Sequence, residues 1–264
     1  MTVDERYGPW ALIAGGSEGV GAEFADLLAA AGLNLLLVAR SPDPLAATAE
    51  RCRRHGVEVR TLAVDLTDPA AVDRIDEFAG DVEVGLLIYN AGANTCSEEF
   101  LDGGLTDFRR VLDLNIGAQL ELVQRFGRPM RERRRGGILL VGSMAGYLGS
   151  SRHSVYGGVK AFGRIFAESL WLELRDHNVD VLHLVLGVTR TPAMERVGLN
   201  FDAPGIRVAE PRDVAEQGLA RLPHGPIFIA GSNDEDVARR NNPDRAKVVR
   251  GTHRAMQRLL GIED

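Results

Sequence analysis

Tyr156 and Lys160 stand four residues apart in Val155–Asp176, a stretch of helical character. That spacing stacks their side chains on one helix face. A phenol gives up its proton near pH ~10, too high for exchange near neutrality. An ammonium one turn away favours the phenolate and lowers that value, so the pair can donate and accept a proton. Tyr-x-x-x-Lys arises by chance in many helices, so its weight depends on its surroundings. Ser143 ends a short apolar run thirteen positions before Tyr156, and Asn115 sits within an earlier helical segment.

A second constellation lies near the N-terminus, where Ala14-Gly15-Gly16-Ser17-Glu18-Gly19-Val20-Gly21 follows an apolar run and enters a helix. Glycines there allow a tight turn and close approach to a pyrophosphate, and the helix N-terminus offers free N–H groups. After the next apolar run comes Ala39-Arg40-Ser41. An acid at that place would bind the ribose 2′-hydroxyl of NAD, whereas an arginine accommodates the 2′-phosphate of NADP. Arg40 offers a planar fork and Ser41 a further hydroxyl.

With Gly15, Gly19 and Gly21 spaced as G-x-x-x-G-x-G, the chain resembles the short-chain dehydrogenase/reductase family from about Trp10 to Ile229. The resemblance implies a tetrad of Asn115, Ser143, Tyr156 and Lys160. In it Ser143 and Tyr156 contact the substrate oxygen, Tyr156 exchanges the proton, and Lys160 binds the nicotinamide ribose. Asn115 holds a water leading to solvent. It also implies cofactor contacts from Ser17, Glu18 and Val20 in the turn, and from Asp65 and Leu66 to adenine. Further contacts fall to Asn90, Ala91 and Gly92, with a role for Asn90 in holding the central sheet equally open, and to Gly187, Val188, Thr189 and Thr191. NADP(H) is the expected cofactor, with NAD(H) left open; Glu18 stands where NADP-using relatives often carry a base and suits a 2′-phosphate only if it points away. Three departures stand out. Ala14 replaces the family's threonine, Leu186 replaces the proline before Gly187 and leaves that turn less fixed in φ, and 229–233 lacks the V-D-G-G ending.

Positioning these groups requires alternating elements. Buried strands are expected at Trp10–Ala14, Leu35–Ala39, Val57–Val64, Val84–Tyr89, Gly137–Val141, Val179–Leu186 and Pro226–Ala230. Helices are expected at Glu23–Ala31, Pro44–His55, Pro69–Ala79, Leu105–Phe126, Val155–Asp176 and Pro211–Leu222, with Gly127 and Pro129 ending one of them and a short helix near His253–Leu260. The expectation is α/β: a single domain over 1–264, Rossmann-type, with a doubly wound parallel sheet flanked by helices on both faces. Residues 232–264 form a C-terminal extension without a legible role. The charge run at 131–135 reads as a solvated helix end.

A net charge of −6 argues against a nucleic-acid binder. Cys52 and Cys96 match no metal or redox spacing and are expected as unpaired thiols. The start MTVDERYGPW lacks an apolar signal core, and no run reaches the ~20 residues of a membrane span. A cytoplasmic protein is expected. His153 could face substrate but reads better as a surface loop residue, and no metal or nucleophile-elbow spacing is present. The substrate wall is expected from Phe100, Leu101, Met144, Tyr147, Leu148, Met194, Val197, Leu199 and Phe201, an apolar lining that fits a hydrophobic ketone or alcohol. Arg152, Arg190 and Arg196 are the nearby cations. Alternatives are a dehydratase or epimerase on this fold, or an NADP(H)-binding regulatory protein without turnover; the paired Tyr156 and Lys160 argue against a sensor. The resemblance further implies homodimers or homotetramers through the long helices.

Overall fold

The computed structural model describes residues 5–196, 198–202 and 207–260. Strands β1 (Trp10–Ala14), β2 (Asn34–Ala39), β3 (Val59–Ala63), β4 (Val84–Tyr89), β5 (Gly136–Ser143) and β6 (Val179–Leu186) belong to the main sheet. Two short strands, β7 (Val188–Thr189) and β8 (Val208–Ala209), pair with each other, and β9 (Ile227–Ile229) completes the main sheet. The spatial order is 3-2-1-4-5-6-9, and every neighbouring pair is parallel. Strand order reverses between β1 and β4, so the carboxyl ends of these strands border the crevice where such sheets bind ligands.

Helices α1 (Gly19–Ala30), α2 (Pro42–Arg53), α3 (Ala71–Ala79), α4 (Leu105–Leu112), α5 (Ala118–Arg133) and α6 (Ser154–Leu174) follow in chain order. After them come α7 (Pro192–Arg196), α8 (Pro211–Arg221), α9 (Asp234–Arg240) and α10 (Arg245–Leu260). Phe24, Leu28, Leu45 and Val214 bring α1, α2 and α8 against one sheet face. Ile75, Leu122, Phe126 and Ala167 bring α3, α5 and α6 against the other. Covered on both sides, β1 and β4 are buried at every position, which is why they read as continuous apolar runs without alternation.

The expected helix Leu105–Phe126 is divided by a π turn at Asp113–Gly117, and it does not end at Gly127 and Pro129. A proline inside a helix removes one hydrogen bond and costs about 3 kcal/mol. Here Phe126 and Met130, on either side of it, are buried in the core, and that packing carries the helix on to Arg133. The charge run does end the helix, with Arg134 in a left-handed cap, but its arginines are tethered rather than simply solvated. Arg133 donates to the Val84 carbonyl, Arg134 Nη2 to the Asp176 carbonyl at 2.7 Å, and Arg135 Nε to Glu83 at 3.1 Å. The last helix begins at Arg245, two turns before the expected start, and α9 precedes it. Among the described residues, no helix is long and apolar enough to cross a membrane.

Candidate active site

The glycine turn joins β1 to α1 and is pinned to both neighbouring strands. Gly15 N–H donates to the Val38 carbonyl at 2.7 Å, and the Asn90 amide donates to the Gly15 carbonyl at 2.8 Å. A Cβ at Gly21 would stand 1.9 Å from the Gly15 carbonyl oxygen, so the helix can start this close to the strand only with glycine. The amides of Asn90 and Ala91 in turn reach the Ala14 carbonyl at 2.9 and 2.8 Å. These backbone bonds fix the turn although Ala14 has no hydroxyl to contribute. Asn90 therefore ties the turn to β4, Ala91 packs beneath it, and Thr48 Oγ1 donates to the Ser17 carbonyl at 2.9 Å.

Glu18 forms a two-pronged ion pair with Arg196 of α7, one arm at 3.0 Å, so its charge is matched by a partner. Arg40 and Ser41 are exposed at the end of β2, and Arg40 makes no ion pair among the described residues. Asp65 accepts from the amide and hydroxyl of Thr67 at 3.0 and 2.9 Å and faces Arg110 at 3.4 Å. The Thr67 backbone bond is the main cause that holds its carboxyl below the ordinary range, against some desolvation. Val20 and Leu66 are buried beneath these turns.

Beyond β6, the turn that lacks the expected proline is secured by other means. Val188 and Thr189 pair with Val208 and Ala209, and Thr189 Oγ1 donates to the Gly187 carbonyl at 3.3 Å. The Thr191 side chain lies over the glycine turn, its methyl 3.0 Å from where a Gly19 Cβ would stand.

The four tetrad positions come together past the carboxyl ends of β4 and β5. Ser143 is the last residue of β5, and its Oγ accepts from the Ala145 amide at 3.1 Å. Lys160 is buried on α6; its Nζ lies 5.6 Å from the centre of the Tyr156 ring and donates to the Val141 carbonyl at 3.4 Å. Asn115 sits in the π turn, a distortion that often marks functional sites. Its amide donates to the carbonyls of Val111 and Ala93 at 2.9 and 3.1 Å, while its buried Oδ1 has no partner among the described residues. A Cβ on Gly92 would stand 2.7 Å from Lys160 Nζ and 2.8 Å from Asn115 Oδ1, so both groups converge on that bare α-carbon.

Burial brings Lys160 down to about 8. Burial also raises the Tyr156 phenol above its ordinary value, partly offset by its hydrogen bond with Ser143. The expected lowering of the tyrosine by the lysine ammonium is thus not the governing effect. Burial is the leading influence on both groups. His153 is exposed at the start of α6, with its ring centre 6.4 Å from that of Tyr156.

The expected apolar wall is only partly realised. Phe100, Leu101 and Met194 are exposed, and Phe100 stacks on Phe108 at 5.2 Å. Met144 and Tyr147 instead pack inward with Val185 and Val237, because the turn after Ser143 directs them to the body of the protein. Leu148 is buried as well. Val197 lies outside the described residues. Arg190 is taken by Glu210 at 3.4 Å and by the Phe201 ring, and Arg196 by Glu18. Arg152 is exposed.

Sequence reasoning missed two buried polar residues behind the lysine. His183 of β6 is 2% exposed, and its Nδ1 has no partner among the described residues; the same holds for Gln119 Oε1 of α5. Burial, then the Lys160 and Arg164 charges, bring His183 down to about 3. A histidine amid the apolar run of β6 was the only signal available.

Residues 9–200 match the short chain dehydrogenase family. The chain belongs to that family. It is 35% identical over 183 residues to a very-long-chain 3-oxoacyl-CoA reductase of Laccaria bicolor, covering 68% of this chain and 54% of that one. The chain thus spans little more than half the length of that relative. It is 26% identical over 251 residues to a 7beta-hydroxysteroid dehydrogenase of Clostridium sardiniense, covering 94% of this chain and 96% of that one. Among solved structures it resembles a short-chain dehydrogenase from Sphingobium yanoikuyae in complex with NADPH, with 30% identity and a TM-score of 0.77 over 97% of this chain and 96% of that one.

Proposed function

We propose that this short-chain dehydrogenase is an NADP(H)-dependent oxidoreductase interconverting a hydrophobic ketone or aldehyde and its alcohol, with Tyr156 as general acid and base. The observation that carries the reading is the convergence of Lys160 Nζ and the unpartnered Asn115 Oδ1 at Gly92, beside Tyr156 and its hydrogen-bonded partner Ser143. The glycine cradle and, among the described residues, the unpaired Arg40 fork and the unpartnered Asn115 oxygen fit a nicotinamide dinucleotide. Gly15, Ser17 and Gly19 would hold its pyrophosphate, Arg40 and Ser41 its 2′-phosphate, Asp65 and Leu66 its adenine, and Lys160 its nicotinamide ribose. Gly187 to Thr191 would face the carboxamide. Such a cofactor, when bound, supplies or takes the hydride.

Ser143 and Tyr156 hold the substrate oxygen from two sides, and these fixed donors stabilise the negative charge that grows there during reduction. The protonated Tyr156 then releases its proton to that oxygen. Lys160 and a water on Asn115 Oδ1 return a proton to the phenolate, and oxidation of an alcohol runs the same transfers backwards. Exposed Phe100, Leu101 and Met194 support an apolar substrate, as do the steroid and long-acyl names of the relatives. Exposed apolar residues on α4, α5 and α6 support self-association.

The test is turnover of NADPH with a 7-oxosteroid, a long-chain 3-oxoacyl thioester and simple apolar ketones. Tyr156→Phe is expected to lower kcat by about 10²–10⁴-fold, the usual worth of a general acid, while NADPH affinity by fluorescence stays within about twofold. Undiminished turnover in that variant overturns the mechanism.

A further inference from the structure

The C-terminal extension grips the turn that follows Ser143. This turn, the 3-10 helix Met144–Tyr147, begins the connection from Ser143 to α6 and Tyr156. From its outer side, Val237 of α9 packs with Met144, Tyr147 and Val185. Arg240 Nη1 donates to the Met144 carbonyl at 2.8 Å, and Arg245 Nη2 donates to the Tyr147 carbonyl at 3.2 Å. Arg245 also donates to the carbonyl of Arg240, which links the two clamps.

Arg240 is half-buried and makes no ion pair among the described residues. A guanidinium drawn partly out of water without a carboxylate is costly unless carbonyl oxygens take its protons. Its desolvation is felt as a lowered affinity for the proton, and the neighbouring charge of Arg239 adds to it. Upstream, Asn233 is buried and donates to the Ala230 carbonyl at 2.7 Å. The same amide stands 2.7 Å from where a Gly187 Cβ would lie, so the extension also borders the turn after β6.

We propose that Arg240 and Arg245 are positioning residues for catalysis: by holding the carbonyls of Met144 and Tyr147 they fix the turn that sets the Ser143 hydroxyl against Tyr156. The proposal rests on the reading of Ser143 and Tyr156 as the catalytic pair. Ser143 Oγ already accepts from Ala145 within the turn, so movement of the turn carries the hydroxyl with it. A displaced hydroxyl withdraws a hydrogen bond that favours the phenolate, and Tyr156 then titrates higher.

The experiment compares full-length wild type, Arg240→Leu, Arg240→Lys and Arg245→Ala. Loss of a hydrogen bond from a charged donor corresponds to about tenfold in a local opening equilibrium. Amide exchange across 143–148, read by mass spectrometry, is therefore expected to quicken about tenfold in Arg240→Leu, while exchange in the glycine turn at 14–21 is unchanged. With NADPH and a 7-oxosteroid, kcat is expected to fall about tenfold and its alkaline limb to move to higher pH. NADPH affinity should hold, and Arg240→Lys, which keeps a donor, should recover most of the loss. A role in stability alone would lower the melting temperature and leave the pH profile where it was. Unchanged exchange across 143–148, or faster exchange with an unmoved pH profile, overturns the proposal. Should Arg240→Leu fail to fold, Arg245→Ala on the exposed side is held to the same two readouts in smaller measure. An active Tyr156→Phe would instead overturn the catalytic reading beneath it, whatever the arginine variants do.

Discussion

On the proposed reading, Arg40 is the side chain, with Ser41 beside it, that would read the 2′-position of the cofactor. It follows β2, exposed and without an ion pair among the described residues, with the Asp65 carboxylate near enough to feel its charge. Because Asp65 is already engaged by Thr67 and Arg110, the guanidinium would be open to the proposed 2′-phosphate. A charge-assisted hydrogen bond contributes about 1.5–3 kcal/mol. Arg40→Ser should therefore weaken NADPH binding by about 10–100-fold and leave NADH binding nearly unchanged in the same fluorescence titration. Equal losses for both would show that the arginine does not read the 2′-position. Glu18 was legible as a residue type but not as a direction, since its partner Arg196 lies 178 residues away and only the fold brings the two together. A second prediction concerns His183. Held neutral in the fold down to about pH 3, it binds a proton in the unfolded chain near pH ~6.5. Below that value the unfolded state carries more protons, so stability is lost as pH falls. Between pH 6.5 and 5 this amounts to about 2 kcal/mol, and it should be missing from His183→Leu when urea unfolding is compared at the two pH values. Parallel pH dependence in both proteins would contradict the neutral, buried assignment.

At the scale of elements, the β1–α1 turn sets the steepest demand on sequence. A methyl at Gly21 would overlap the Gly15 carbonyl and also meet the Asn90 amide at 2.6 Å, so Gly21→Ala must push α1 away from the sheet. Such overpacking costs typically 1–3 kcal/mol. Gly21→Ala is expected to lose stability of about that size in urea unfolding and to lose NADPH binding in titration; a variant that binds normally would show that the turn has slack. Elements of this kind were readable because their causes are local: an apolar run, a glycine cluster, a helix period. β1, β4 and β6 fall at the expected residues for that reason. The failures are tertiary. Pro129 signals a helix end, yet Phe126 and Met130 find the core on either side of it. The π turn at Asn115 has no sequence mark, and α9 is a short helix of charged residues held mainly by Val237 and the turn it covers. Of the candidate site, the residue types and chain spacing were legible. The protonation balance was not, because burial rather than the neighbouring ammonium governs Tyr156, and burial cannot be read from a four-residue spacing.

For the whole molecule, one surface is out of keeping with a chain of net charge −6. Leu105 and Leu112, seven residues apart on α4, are exposed together, and Leu120 follows on α5. On α6, Phe162, Ile165 and Leu172 continue the same pattern at helical spacing, with Ile165 54% and Leu172 61% exposed. Scattered exposed leucines are ordinary, but stripes on consecutive helices are the kind of surface through which the proposed self-association would run. A second copy satisfies both stripes at once, since a two-fold axis sets each patch against itself. The opposite face of α6 carries Lys160, so association through this surface would also brace the helix that holds Tyr156. Wild type is therefore expected to run as a dimer or tetramer in size-exclusion chromatography with light scattering. Ile165→Glu places a charge at the centre of the α6 stripe, where burial against an apolar partner is unfavourable by several kcal/mol, and should shift the protein toward monomer. The monomer should still bind NADPH, because the glycine turn and Arg40 lie on other elements, but its kcat should fall as α6 loses its support. A wild type that is monomeric at micromolar concentration would leave these stripes without a second copy and would refute the assembly.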